Sequence, residues 1–145
     1  MKTTDKPIIV EQKFTKSIET VWATITNHEE MIKWYFENIP DFKAEVGFYT
    51  EFNVKSEKRD FLHKWNVIEV IPNKKIIYNW TYENYQGSAD MHFELFPKGD
   101  STKLQIKIVV LEDFNDVIPE FRRESCIGGW EYFIKGRLKE FLENK

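Results

Sequence analysis

The chain has 145 residues, 41% of them apolar and 31% charged, with a formal net charge of −3. That length fits one domain with a sizeable core, the composition excludes a disordered chain, and the acidic balance argues against a general nucleic-acid partner. The single cysteine, Cys126, rules out an intrachain disulfide, no apolar run approaches the roughly 20 residues of a membrane span, and the N-terminal segment lacks the apolar stretch of a signal peptide, so a cytoplasmic protein is expected.

In chain order, apolar and polar residues alternate over 8–15, which predicts a first strand. Ser17 is a suitable N-cap for a helix carrying Val21, Trp22 and Ile25. A second short helix over 29–35 brings Met31, Ile32 and Trp34 inward and is broken by Pro40 and Asp41. Gly47 marks a turn before a strand with Phe48, Thr50, Phe52 and Val54 on one face, and 53–59 reads as a polar hairpin tip. A long strand over 61–71 ends at Pro72-Asn73, another covers 75–82, and a loop with Gly87 follows. Ala89, Met91, Phe93 and Leu95 alternate with polar residues, Pro97-Lys98-Gly99-Asp100 is a turn, and 102–110 is the most regular strand of the chain. An acidic loop over 111–118 then leads to a terminal helix within 119–142.

Strands joined by short turns are antiparallel, so the expected class is α+β, with the terminal helix burying its apolar stripe against one face of a curved sheet. That stripe consists of Ile127, Trp130, Ile134, Leu138 and Phe141. Gly128 and Gly129 sit inside it, each costing a helix about 1 kcal/mol relative to alanine. Two explanations are available: close approach of helix to sheet, which is the leading one, or open space beside the helix for a ligand.

Five segments carry a resemblance to a known family. They are 14–22 (FTKSIETVW) followed by Ile32-Lys33-Trp34, Val46-Gly47-Phe48, 67–80 (VIEVIPNKKIIYNW), Ser101-Thr102-Lys103-Leu104, and Gly129-Trp130 with Leu138 and Leu142. Together they resemble homologues of the C-terminal domain of the activator of heat-shock protein 90 ATPase, within the START-like, birch-pollen-allergen-like superfamily. The resemblance implies a helix-grip fold over residues 1–145: about seven antiparallel strands wrapped around the terminal helix, with two short helices after the first strand. It also implies, as in many such proteins, a cavity between sheet and helix. The sequence departs from the pattern where Val46-Gly47 lacks a second glycine, where Ile134 replaces a leucine, and where Trp65-Asn66 replaces a small residue. The last departure predicts a smaller or differently shaped pocket.

The candidate cavity-lining residues are Trp34, Phe52, His63, Trp65, Tyr78, Trp80, Phe93 and Trp130. They are drawn from an aromatic excess of twelve Phe, six Tyr and five Trp, which either lines a cavity for an apolar ligand or fills the space. If the third strand alternates regularly, His63 and Glu69 share a face and form the one available acid–base pair; otherwise His63 is a plain strand histidine. His92 falls on the opposite, solvated face and His28 at a helix junction. No histidine has metal-ligand spacing with Cys126 or another histidine, and no cofactor is expected. Cys126 reads as a buried, inert thiol. Phe114, Val117, Ile118 and Phe121 are either a mobile rim or an apolar cap on the terminal helix.

Two principal readings of function follow. One is a module holding an apolar or aromatic small molecule; the other, implied by the resemblance, is a chaperone-associated interaction domain. A cyclase- or hydrolase-like enzyme is a third and depends on His63 with Glu69. Monomer and homodimer are both open.

Overall fold

The computed structural model describes residues 1–145. Six strands form one antiparallel sheet: β1 (Ile8–Phe14), β2 (Tyr49–Lys55), β3 (Asp60–Ile71), β4 (Lys75–Tyr82), β5 (Ser88–Lys98) and β6 (Ser101–Glu112), in the spatial order β1-β6-β5-β4-β3-β2. The expectation of about seven strands is corrected to six. The chain between the second helix and β2 pairs with nothing as a strand, and Pro40 and the turn ending at Gly47 (φ +91°) explain why.

Two helices follow β1, α1 (Ile18–Thr26) and α2 (His28–Trp34). The Ser17 side chain accepts from the Thr20 N–H, as the sequence predicts for an N-cap. Asn27 serves both helices at once: its backbone N–H closes α1 on Ala23, and its side chain caps α2 by accepting from Glu29. His28 Nε2 lies 2.6 Å from the Ile39 carbonyl and ties this junction to the following loop.

The inner face of the sheet carries the core. His63, Trp65 and Val67 of β3 stand opposite Tyr82, Trp80 and Tyr78 of β4, Phe61 of β3 stands opposite Val54 of β2, and Ala89, Met91, Phe93 and Leu95 of β5 continue the same face toward Leu104, Ile106 and Ile108 of β6. Against it lies the terminal helix, made of α3 (Arg123–Glu131), a π-helical segment (Tyr132–Leu138) and α4 (Lys139–Glu143). Its buried residues are Trp130, Ile134, Leu138 and Leu142, with Ile127 and Phe141 only half-buried. Steps of four drift about 40° each around an α-helix of 3.6 residues per turn. The wider π turns absorb that drift and keep all four side chains on the sheet. The expected stripe therefore ends on Leu142, not Phe141.

Phe114 and Phe121 are fixed parts of the core. Phe121 stacks on Tyr82 at 5.0 Å and lies 5.5 Å from Phe114, while Val117 is exposed. They cap the helix start; they are not a loose rim.

Candidate functional site

The inner face of β3 and β4 carries Phe61, His63, Trp65, Tyr78, Trp80 and Tyr82 side by side because strand residues two apart point the same way. Their rings interlock: Trp65 lies 4.9 Å from Tyr78 and 5.0 Å from Trp80, Phe52 stacks on His63 at 5.3 Å, and Trp130 packs 5.9 Å from Trp80 and 5.6 Å from Phe93. Seven of the eight candidate residues thus meet in one cluster. The eighth, Trp34, stands apart: it stacks beneath Tyr35 at 4.6 Å and donates its indole N–H to the Thr24 carbonyl, 2.8 Å away, locking α2 to α1.

Much of the space expected for a cavity is filled. Tyr35, at the end of α2, reaches into the cluster with its hydroxyl 2.9 Å from that of Tyr78. Burial pushes both phenols to higher pKa, so the pair is neutral. Phe36 and Phe133 pack at 5.0 Å and close the gap between α2 and the terminal helix. Tyr35 and Phe133 escape the sequence reading for two reasons. The expected helix over 29–35 turns Met31, Ile32 and Trp34 inward, whereas α2 stops at Trp34 and Tyr35 follows it into the core. Phe133 lies on the π-helical segment, where the α-helical period does not hold. Tyr82 could have been found, since it follows Trp80 at the strand period.

What remains is a cavity of about 150 Å³ beside α3, walled by Phe36, His63, Trp80, Tyr82, Trp130 and Phe133. Gly129 and Cys126 form its helix side, and Met1, Glu120 and Ser125 its rim. A shallower depression of about 530 Å³ lies beyond Phe36 and Phe133. A Cβ added at Gly128 or Gly129 would meet no atom within 4 Å. Close helix-to-sheet approach, the leading sequence explanation of the pair, is therefore wrong: both glycines face open space, and Gly129 does so at the cavity. Gly128→Ala is expected to raise stability by about 1 kcal/mol and the melting temperature by roughly 3 °C. A calorimetric scan showing a lower melting temperature would restore the close-approach explanation.

His63 is the polar residue of the inner wall, 5% exposed. Its Nδ1 lies 3.1 Å from the Phe61 carbonyl, which can only accept, so Nδ1 carries the proton and Nε2 keeps a lone pair with no protein partner. Burial pushes the imidazole pKa down to about 4. Glu69 does not join it. The register between β3 and β4 slips after Val67, so Ile68 and Glu69 together oppose Ile77. This bulge turns Glu69 to the outer face, where it pairs with Lys75 at 3.0 Å. The acid–base pair on which an enzymatic reading depends is thus not assembled.

The Trp80 indole N–H is fully buried, with the Tyr82 hydroxyl as its polar neighbour. Burial pushes the Cys126 thiol up to about 12, which keeps it protonated, as the inert-thiol reading expects. No cluster of metal-ligating side chains is present, and no helix is long and apolar enough to cross a membrane.

The fold has many counterparts among solved structures. Protein CV1439 from Chromobacterium violaceum superposes with a TM-score of 0.79 at 18% identity, covering 95% of this chain and 97% of its own. Protein MLL2253 from Mesorhizobium loti gives 0.74 at 23% identity, with 97% and 98% covered. The Aha1 dimer from Colwellia psychrerythraea, solved in solution, gives 0.71 at 18% identity, with 96% and 97% covered. At these identities the likeness establishes the helix-grip fold alone. No curated protein matches the sequence. The family model described as "Activator of Hsp90 ATPase homolog 1-like protein" matches residues 15–143, which span the α1–α2 pair, the sheet from β2 to β6 and the terminal helix, and the chain belongs to that family.

Proposed function

We propose that the protein is a START-like binding module that holds an apolar or aromatic small molecule between the sheet and the terminal helix. The observation that carries this reading is the aromatic-walled cavity of about 150 Å³ placed where Gly129 leaves the helix side bare. Helical glycine is costly, and here no packing requirement explains it. A thermal-shift screen with lipids, polyketides and aromatic metabolites tests the proposal. A ligand at a hundred times its Kd stabilises by roughly 2.7 kcal/mol, a shift of about 5–10 °C at this size. Gly129→Leu, which fills the helix side of the cavity, is expected to keep the fold and abolish the shift. If no compound stabilises the protein, the proposal fails.

The family description favours a second reading, contact with a heat-shock protein 90-type chaperone. It predicts that excess protein changes the chaperone's ATPase rate, and an unchanged rate removes it.

A further inference from the structure

The cavity pairs its small size with a specific polar arrangement. An apolar cavity of about 150 Å³ accommodates one benzene-sized ring, whereas pockets for larger ligands begin near 300 Å³. One polar atom of its inner wall lacks a protein partner: His63 Nε2, an acceptor. His63 is 5% exposed and is surrounded by the rings of Phe36, Phe52, Trp80 and Tyr82. A polar group left unpaired in an apolar wall is costly, so a ligand that satisfies it gains over one that does not. A hydroxyl on an aromatic ring does this by donating its hydrogen while the ring fills the apolar space. The rest of the wall includes Phe36, Trp130 and Phe133, whose rings suit the face and edge of a ring. Glu120 at the rim, held by Ser56 and Arg59, disfavours an anionic ring.

We infer that the cavity takes a neutral, single-ring phenol whose O–H donates to His63 Nε2. This rests on the small-molecule reading above and narrows it to one ligand class. Larger polyketides are disfavoured by the rings of Tyr35, Phe36 and Phe133, which already occupy the remaining interior.

The test is calorimetric titration of the full chain with phenol, with toluene as the ring lacking the hydroxyl, and with a long-chain fatty acid as a large apolar probe. Phenol is expected to bind about tenfold more tightly than toluene, the worth of a well-made hydrogen bond. In His63→Phe, which keeps a ring but removes the acceptor, the preference is expected to shrink to within about twofold. On the unsubstituted protein, phenol is expected to shift the His63 Nε2 nitrogen resonance, and toluene to leave it without a hydrogen-bond shift. Equal binding of phenol and toluene would overturn the phenol assignment and leave the apolar-ligand reading standing, as would binding of the fatty acid alone. Binding of none of the three overturns the phenol assignment, and the wider screen then decides the reading beneath it.

Discussion

Replacing Gly87 by alanine is expected to destabilise the protein by roughly 3–5 kcal/mol and lower its melting temperature by about 10–15 °C. Gly87 lies in the loop between β4 and β5, is buried, and has φ +124°, a conformation that residues with a side chain adopt only under strain. A Cβ there would also sit 2.2 Å from Cδ1 and 2.5 Å from Cγ of Phe114. The ring has no room to retreat. It is 1% exposed, lies 6.2 Å from Tyr82 and 5.5 Å from Phe121, and its backbone N–H is held by the Met1 carbonyl at 2.9 Å. Strain and overpacking thus act on the same residue.

The two components separate in a double-mutant cycle. Phe114→Ala alone costs about 3–5 kcal/mol through the cavity it opens. In that background Gly87→Ala no longer clashes, and its cost is expected to fall to the backbone part, about 1–2 kcal/mol. Chemical denaturation of the four proteins measures the coupling, and simple additivity would show that the ring does not limit position 87.

This glycine and the pair in the helix reverse their apparent importance in the sequence. Gly128-Gly129 stands out because it interrupts a helical stripe, yet neither glycine is required by packing. Gly87 reads as an ordinary loop glycine, and its constraint comes from Phe114, twenty-seven positions away, which no local pattern reveals. The fold was legible because strand alternation and the Ser17 cap are local signals, and the strands of the sheet follow them closely. The site was legible in its wall and not in its filling. Phe52, His63, Trp65, Tyr78, Trp80 and Phe93 lie on strands, where a period of two fixes the face, and Trp130 lies on the helical stripe. Tyr35 and Phe133 lie where regular periods end, and they decide how much space is left. The pairing of His63 with Glu69 failed for the same reason: a single bulged residue, Ile68, inverts every face beyond it.

Acid is expected to weaken the protein one to two pH units above the range where its carboxylates titrate, and His63 is the cause. In the unfolded chain this imidazole has its ordinary value of 6.5; in the fold, burial lowers it to about 4. Between these values the unfolded state binds a proton that the folded state refuses, so stability falls as pH falls from 6.5 toward 4 and is unaffected above that window. The full loss is roughly 3 kcal/mol, of which about 2.5 kcal/mol is reached by pH 4.5. The rings packed on His63 are Phe36, Phe52, Trp80 and Tyr82, none of which offers it a counter-charge. Among the groups lining the same cavity, Cys126 stays protonated, the Met1 ammonium donates to the Phe121 carbonyl, and Glu120 is bonded to Ser56 and Arg59. His92, half-buried on the outer face, is also lowered by burial and adds in the same direction. Glu11, Asp113 and Glu120 are held below their ordinary values by their partners, so their stabilisation is lost only at lower pH, below about 4.5. Denaturant unfolding of the wild-type protein and of His63→Phe between about pH 7.5 and 4.5 isolates the His63 share. The variant is expected to lose about 2.5 kcal/mol less than the wild type across that interval, whatever its stability at neutral pH. Parallel curves would mean that His63 accepts its proton without unfolding, which in turn would require the imidazolium to find a partner, with the Glu120 carboxylate on the same cavity as the first place to look.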